Sequence, residues 1–116
     1  MAANTGHKIR FTVAGTGYVG LSLACLLSKI GDVIAIDILE DKVSTINNGL
    51  SPIVDEQISA TLARRPKTLE ATTDPDCAYS DRDFVIIATP TNYDVSKNTF
   101  DTSSIESVLD SLVERN

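Results

Sequence analysis

The sequence is short of positive charge, has one histidine and two cysteines, and contains no apolar run long enough to cross a membrane. Each shortage removes a class of function. Ten Lys and Arg stand against sixteen Asp and Glu, for a formal charge of -6. The clustered cations that hold a phosphate backbone are therefore missing, and a nucleic-acid partner is excluded. A nucleotide cofactor is not, because backbone N–H groups and helix dipoles bind one without net charge. The apolar run over residues 19–27 is broken by Ser22 and Cys25 and falls far short of the ~20 residues of a membrane span. Residues 1–8 are polar and carry no secretory pattern, so a cytoplasmic protein without membrane contact is expected.

Cys25 lies in an apolar helical pattern and Cys77 in a short polar connection, without metal-ligand spacing. They read as free structural thiols of a reducing compartment. His7 falls in residues 1–7, a polar start expected to be a disordered tail. No metal cluster, nucleophile elbow or Walker motif is present. Neither a catalytic residue nor a metal ligand is expected here.

What is present is a globular composition, 42% apolar and 22% charged over 116 residues, enough for one domain. Ile9-Arg10-Phe11-Thr12-Val13-Ala14 is β-rich and stopped by glycine, which predicts a strand. Val19, Leu23, Leu26, Leu27 and Ile30 then follow helical spacing, with Leu21 and Ala24 widening the face and Gly31 placed as a C-terminal cap. Val33-Ile34-Ala35-Ile36-Asp37 is predicted as a second strand, nearly continuous in apolar residues, as in sheets covered on both faces. A helix over residues 39–47 turns Val43 and Ile46 inward. Asp55 is placed to cap a helical segment bearing Ile58 and Leu62, Leu69-Glu70-Ala71-Thr72 is a weak strand, and Asp74-Pro75 starts a helical turn. Residues 83–88 form another apolar strand, and residues 92–101 a polar loop. Ser103 with Glu106 predicts a capping box for a last helix with Ile105, Val108, Leu109 and Leu112 on its apolar face. The alternation predicts a Rossmann-like, doubly wound α/β fold with a mainly parallel sheet, stopping after about four strands. The last apolar strand is interior in the usual order, so its exposure as an edge predicts self-association.

The chemistry lies in Gly15-Thr16-Gly17-Tyr18-Val19-Gly20. A lone G-x-G-x-x-G is weak evidence. This one follows a strand, opens a helix, and precedes Asp37 by about 20 residues, the spacing of a ribose-binding acid. Gly15 permits the turn, Gly17 lets a pyrophosphate approach the backbone, and Gly20 lets the helix pack on the sheet. Asp37 at the strand end favours NAD over NADP, because a carboxylate repels a 2′-phosphate. Alternatively it caps the following helix or pairs with Lys42. Thr89, with Pro90 and Thr91, leaves the strand expected beside the first, across the crevice where ligands of open α/β sheets bind. Capping the strand end is the alternative for Thr89.

The segments Phe11 through Ser22, Ile36-Asp37-Ile38 with Lys42-Val43, Ser51-Pro52-Ile53-Val54-Asp55 and Ile86-Ile87-Ala88-Thr89-Pro90-Thr91 resemble the UDP-glucose/GDP-mannose dehydrogenase family, and within it the UDP-glucose 6-dehydrogenases. The resemblance implies two successive hydride transfers to NAD, taking UDP-glucose to UDP-glucuronate through a cysteine thioester, in nucleotide-sugar metabolism. It implies that Tyr18 and Val19, with the glycine loop, lie along the NAD pyrophosphate, that Asp37 and Lys42 hold the adenine-side ribose, and that Thr89 touches the cofactor. Family members run to several hundred residues, with a central helix, a UDP-binding domain and the nucleophilic cysteine beyond the region matched. Residues 8–116 are accordingly expected to be a partial NAD-binding domain that binds NAD weakly and is inactive alone, UDP-glucose being a partner only of the full-length enzyme. A stand-alone nucleotide-binding module, a related β-hydroxyacid dehydrogenase and an S-adenosylmethionine methyltransferase are the competing readings.

Overall fold

The computed structural model describes residues 8–89 and 92–115. The expected tail with His7, and Pro90 and Thr91, lie outside the described residues. Four parallel strands form the main sheet: β1 (Ile9–Ala14), β2 (Gly31–Ile36), β3 (Leu69–Thr72) and β4 (Phe84–Ile87), in the order β3-β2-β1-β4. That is the doubly wound order the sequence predicts up to its fourth strand.

Alternation along the central strands sorts the helices. Phe11, Val13 and Val33 face α1 (Tyr18–Leu27), and Ala35 and Ala71 join α1, α2 (Glu40–Asn47) and α3 (Glu56–Ala63) in one apolar layer. Ala14, Ile34 and Ile36 point the other way, against Ala78 and Tyr79 of α4 (Pro75–Tyr79) and Val108 of α5 (Ser103–Arg115). Even the Thr12 side chain, fully buried on that second face, is satisfied by donating to the Ala78 carbonyl. Both faces of the sheet are covered, as the apolar character of β1 and β2 requires.

Asp55 caps α3 by accepting from the Ile58 amide at 2.9 Å, and Asp74 accepts from the Asp76 amide at 3.0 Å with Pro75 opening α4. The weak strand candidate is β3, and its modest signal has a cause: of Leu69, Glu70, Ala71 and Thr72 only Ala71 is fully buried.

Four expectations are corrected. Gly31 is not a helix cap. The helix ends at Leu27, Ser28 closes it, and Gly31 begins β2 opposite Ile9, where a Cβ would collide with the Ile9 carbonyl. The inward face of α1 is Gly20, Leu21, Ala24 and Cys25, while Val19, Leu26 and Ile30 are exposed. Leu21 and Ala24 are buried as expected, and Leu23 and Leu27 are half-buried; the helix packs close through Gly20, Ala24 and Cys25, which turns Val19 and Leu26 outward. Residues 92–101 are not a plain loop: β5 (Asn92–Asp94) pairs antiparallel with β6 (Thr99–Asp101) through a turn. Finally, Ser103 already lies inside α5, and the Glu106 amide donates to the Thr102 carbonyl, so Thr102 holds the cap position assigned to Ser103. In α5 Val108 is buried, Ile105 and Leu112 are half-buried, and Leu109 is exposed.

Candidate functional site

The carboxyl ends of β1, β2 and β4 open onto a cleft of about 640 Å³. Gly15, Thr16, Gly17, Tyr18, Val19, Asp37, Lys42 and Thr89 all line it. Gly20 does not: it is buried beneath the loop.

The loop is built by close backbone approaches. The Gly15 amide donates to the Ile36 carbonyl at 2.8 Å, and the Ala88 amide donates to the Ala14 carbonyl at 2.7 Å. Gly15 adopts φ +108, a conformation that L side chains rarely take, and a Cβ there would meet the Ala88 oxygen at 2.6 Å. At Gly20 a Cβ would overlap the Gly15 carbonyl. Gly17 differs, because a Cβ there would meet no atom of the described residues within 4 Å. Protein packing accounts for Gly15 and Gly20, whereas the space beside Gly17 opens into the cleft.

Gly17 is also the N-cap of α1, so no side chain caps the helix. First-turn amides lack intrahelical acceptors and carry the positive end of the helix dipole. Tyr18 and Val19 are exposed beside them, as are Ile38 and Leu39 across the cleft.

Asp37 is half-buried and already engaged. One carboxylate oxygen accepts from the Thr16 amide at 3.0 Å and the Thr16 hydroxyl at 2.6 Å; the other accepts from the Leu39 amide at 3.0 Å. Partial burial works to raise its pKa. The bonds from Thr16 and Leu39, with the charge of Lys42, outweigh burial and hold the carboxyl below its ordinary value. Asp37 does not cap α2, whose N-cap is Leu39. Thr16 is fully buried in the cleft wall, and both its donors go to Asp37, so it fixes the carboxylate.

Across the crevice the Thr89 hydroxyl oxygen is buried and has no hydrogen-bond partner among the described residues. An orphaned hydroxyl in a cleft wall is a place where a ligand group is expected. Sequence reasoning missed the far wall, where Thr73, Pro75, Tyr79, Ser104, Ser107 and Ser111 complete the cleft. The serines recur at helical spacing beside the apolar face of α5, a polar stripe that periodicity alone would have revealed. Tyr79 carries no comparable signal.

Cys25 and Cys77 are free and line no part of this cleft. Burial, more than any neighbour, pushes the Cys25 thiol above its ordinary value, which keeps it protonated and unreactive. Among the described residues no cluster of three His, Cys, Asp or Glu is placed to hold a metal ion, and no helix is long and apolar enough to cross a membrane.

Uncapped helix amides, a glycine open to a ligand, a strand-end carboxylate and an orphaned hydroxyl are a donor set that fits a dinucleotide. Comparison with known proteins agrees. Residues 9–116 match the model of the UDP-glucose/GDP-mannose dehydrogenase family, NAD binding domain. The UDP-glucose 6-dehydrogenase of Streptococcus pneumoniae is 50% identical over 108 residues, which are 93% of this chain and 27% of that protein. The GDP-mannose 6-dehydrogenase of Pseudomonas aeruginosa is 38% identical over 87 residues, 71% of this chain and 20% of that protein. A ternary-complex crystal structure of GDP-mannose dehydrogenase from the same organism superimposes with a TM-score of 0.82 at 34% identity, covering 90% of this chain and 24% of that one. The chain thus spans about a quarter of the length of the relatives it matches. It belongs to the UDP-glucose/GDP-mannose dehydrogenase family, whose NAD binding domain it matches.

Proposed function

We propose that this chain is the NAD-holding part of a UDP-glucose 6-dehydrogenase. The observation that carries the reading is the convergence of Gly17, Asp37 and Thr89 on one cleft at the switch point of the sheet. The α1 amides at Tyr18 and Val19 face the pyrophosphate over Gly17. Asp37 and Lys42 hold the adenine-side ribose, Thr16 secures Asp37, and the Thr89 hydroxyl gains its missing partner from the cofactor. Exposed Val19, Ile38 and Leu39 give the dinucleotide apolar cover. Bound NAD supplies the hydride acceptor. UDP-glucose is favoured as substrate of the whole enzyme because identity is 50% to a UDP-glucose 6-dehydrogenase and 38% to a GDP-mannose 6-dehydrogenase.

In this proposal residues 8–116 are one part of a larger enzyme whose central helix and UDP-binding domain supply the nucleophile and the sugar contacts. A cytoplasmic location belongs to the same reading, supported by the two free thiols. Calorimetry on the 116-residue chain is expected to show NAD binding that is weak but tighter than NADP binding. Absorbance is expected to show no NADH formed with UDP-glucose. Binding of S-adenosylmethionine but of neither dinucleotide overturns the reading, and steady NADH production overturns the inactive-alone part.

We also propose that a second copy pairs along β4. This strand is an edge of the sheet, with Phe84 57% exposed and Val85, Ile86 and Ile87 only half-buried. Light scattering on concentrated protein is expected to show a dimer or larger species, and a lysine at Ile86 to restore monomers. A monomer at every concentration refutes this part.

A further inference from the structure

A carboxylate offers about four acceptor positions, and at Asp37 three are taken before any ligand arrives. The oxygen bonded to Thr16 is filled by an amide at 3.0 Å and a hydroxyl at 2.6 Å, while the Leu39 amide takes one position on the other oxygen at 3.0 Å. One acceptor remains, on the oxygen bonded to Leu39. It suffices for one ribose hydroxyl. Turning the carboxylate breaks both Thr16 bonds, and the hydroxyl bond is short and charge-assisted, the stronger kind.

A free aspartate at a strand end has two ways to tolerate a 2′-phosphate. It swings aside, or it takes up a proton. The Thr16 hydroxyl opposes both, because its bond fixes the rotamer and favours the ionised form. Thr16 itself is fully buried, so it does this without touching the ligand. We propose that Thr16 is a positioning residue that sets the choice of NAD over NADP by locking the Asp37 carboxylate in place. The inference rests on the reading of Asp37 as the ribose acid. It separates the two halves of the fingerprint less than their spacing suggests: the loop residue between Gly15 and Gly17 is a mechanical part of the ribose subsite.

Thr16→Val keeps the shape and the backbone amide bond and removes only the hydroxyl; Thr16→Ser keeps the hydroxyl. In carbon-detected NMR of the full chain, the Asp37 carboxyl is expected to titrate at higher pH in Thr16→Val and close to wild type in Thr16→Ser. Calorimetry is expected to show the NAD-to-NADP affinity ratio falling on the order of tenfold in Thr16→Val, the loss of one charge-assisted bond, and staying near wild type in Thr16→Ser. Dispersed amide spectra establish that each variant is folded. An Asp37 midpoint unmoved by Thr16→Val sinks the lock, with or without dinucleotide. A moved midpoint with an unchanged ratio sinks its role in selectivity. Wild-type chain that binds neither dinucleotide instead overturns the ribose reading of Asp37, an outcome distinct from the other two.

Discussion

Gly17→Ala is expected to leave the fold intact and weaken NAD binding at least about tenfold, whereas Gly20→Ala is expected to cost the fold itself. The two glycines stand three residues apart in one hexapeptide, yet a methyl group meets different surroundings at each. At Gly17 the new Cβ finds no atom of the described residues within 4 Å, and φ is -75, which any L residue adopts. Replacing glycine by alanine at an N-cap costs up to about 1 kcal/mol, a shift of several degrees in melting temperature for a domain of this size. The methyl then stands in the open cleft where the pyrophosphate has to approach the helix amides. At Gly20 the Cβ overlaps the Gly15 carbonyl, which is backbone and cannot rotate away. Helix α1 has to retreat from the sheet, uncovering Leu21 and Ala24, both fully buried. Overpacking of this kind costs about 1–3 kcal/mol where side chains can yield and more where backbone must, against a total of roughly 5–15 kcal/mol for a domain. Thermal melts by circular dichroism and NAD titration of both variants check the contrast. Gly17→Ala protein that binds NAD as wild type does would show that the pyrophosphate does not cross Gly17.

Those roles were partly legible from sequence, and the reason is local. The turn at Gly15 and the close packing at Gly20 follow from the strand–loop–helix order, as do β1, β2 and β4 from their apolar runs. Asp37 could be placed from spacing because a strand end is a fixed point in a βαβ unit. What Asp37 bonds to could not: Thr16 lies 21 positions earlier and looks like a variable loop residue. The far wall of the cleft was hidden for a related reason, since α4 and α5 reach it only through the sheet's fold. The face of α1 was misread because counting large apolar residues ignores how closely Gly20, Ala24 and Cys25 let a helix approach. The β5–β6 hairpin had one signal in reserve, Asn98 at φ +53, since asparagine is a residue that tolerates the left-handed turn conformation.

Asp37→Asn is expected to change both cofactor choice and acid stability, because a single carboxylate serves ligand and loop. The amide oxygen still accepts both Thr16 bonds, but the amide nitrogen then faces the Leu39 N–H, donor against donor. Losing that bond costs about 1 kcal/mol. The same nitrogen replaces the one oxygen left for the ribose, so the ribose hydroxyl loses its acceptor, worth about tenfold in NAD affinity. Repulsion of a 2′-phosphate is also lifted. At a separation of ~4 Å that repulsion is about 4 kcal/mol for an effective dielectric constant of ~20, and less where water screens it. NADP is therefore expected to gain what NAD loses, moving their affinity ratio on the order of a hundredfold.

The acid behaviour follows from the same bonds. Folding holds the Asp37 carboxyl below its ordinary value of 3.8, so the folded state prefers the ionised form. Its contribution to stability is whole above that value and is lost as pH falls through the lower, folded one. Asparagine does not titrate. The melting temperature of wild type should therefore exceed that of Asp37→Asn by a constant margin from neutral pH down to about pH 4, and the margin should shrink below it. A margin that persists unchanged into strong acid would mean that the Thr16 and Leu39 bonds hold the protonated carboxyl as well as the carboxylate. In that case charge at Asp37 would act on the ligand alone, and the loop would be held by hydrogen-bond geometry.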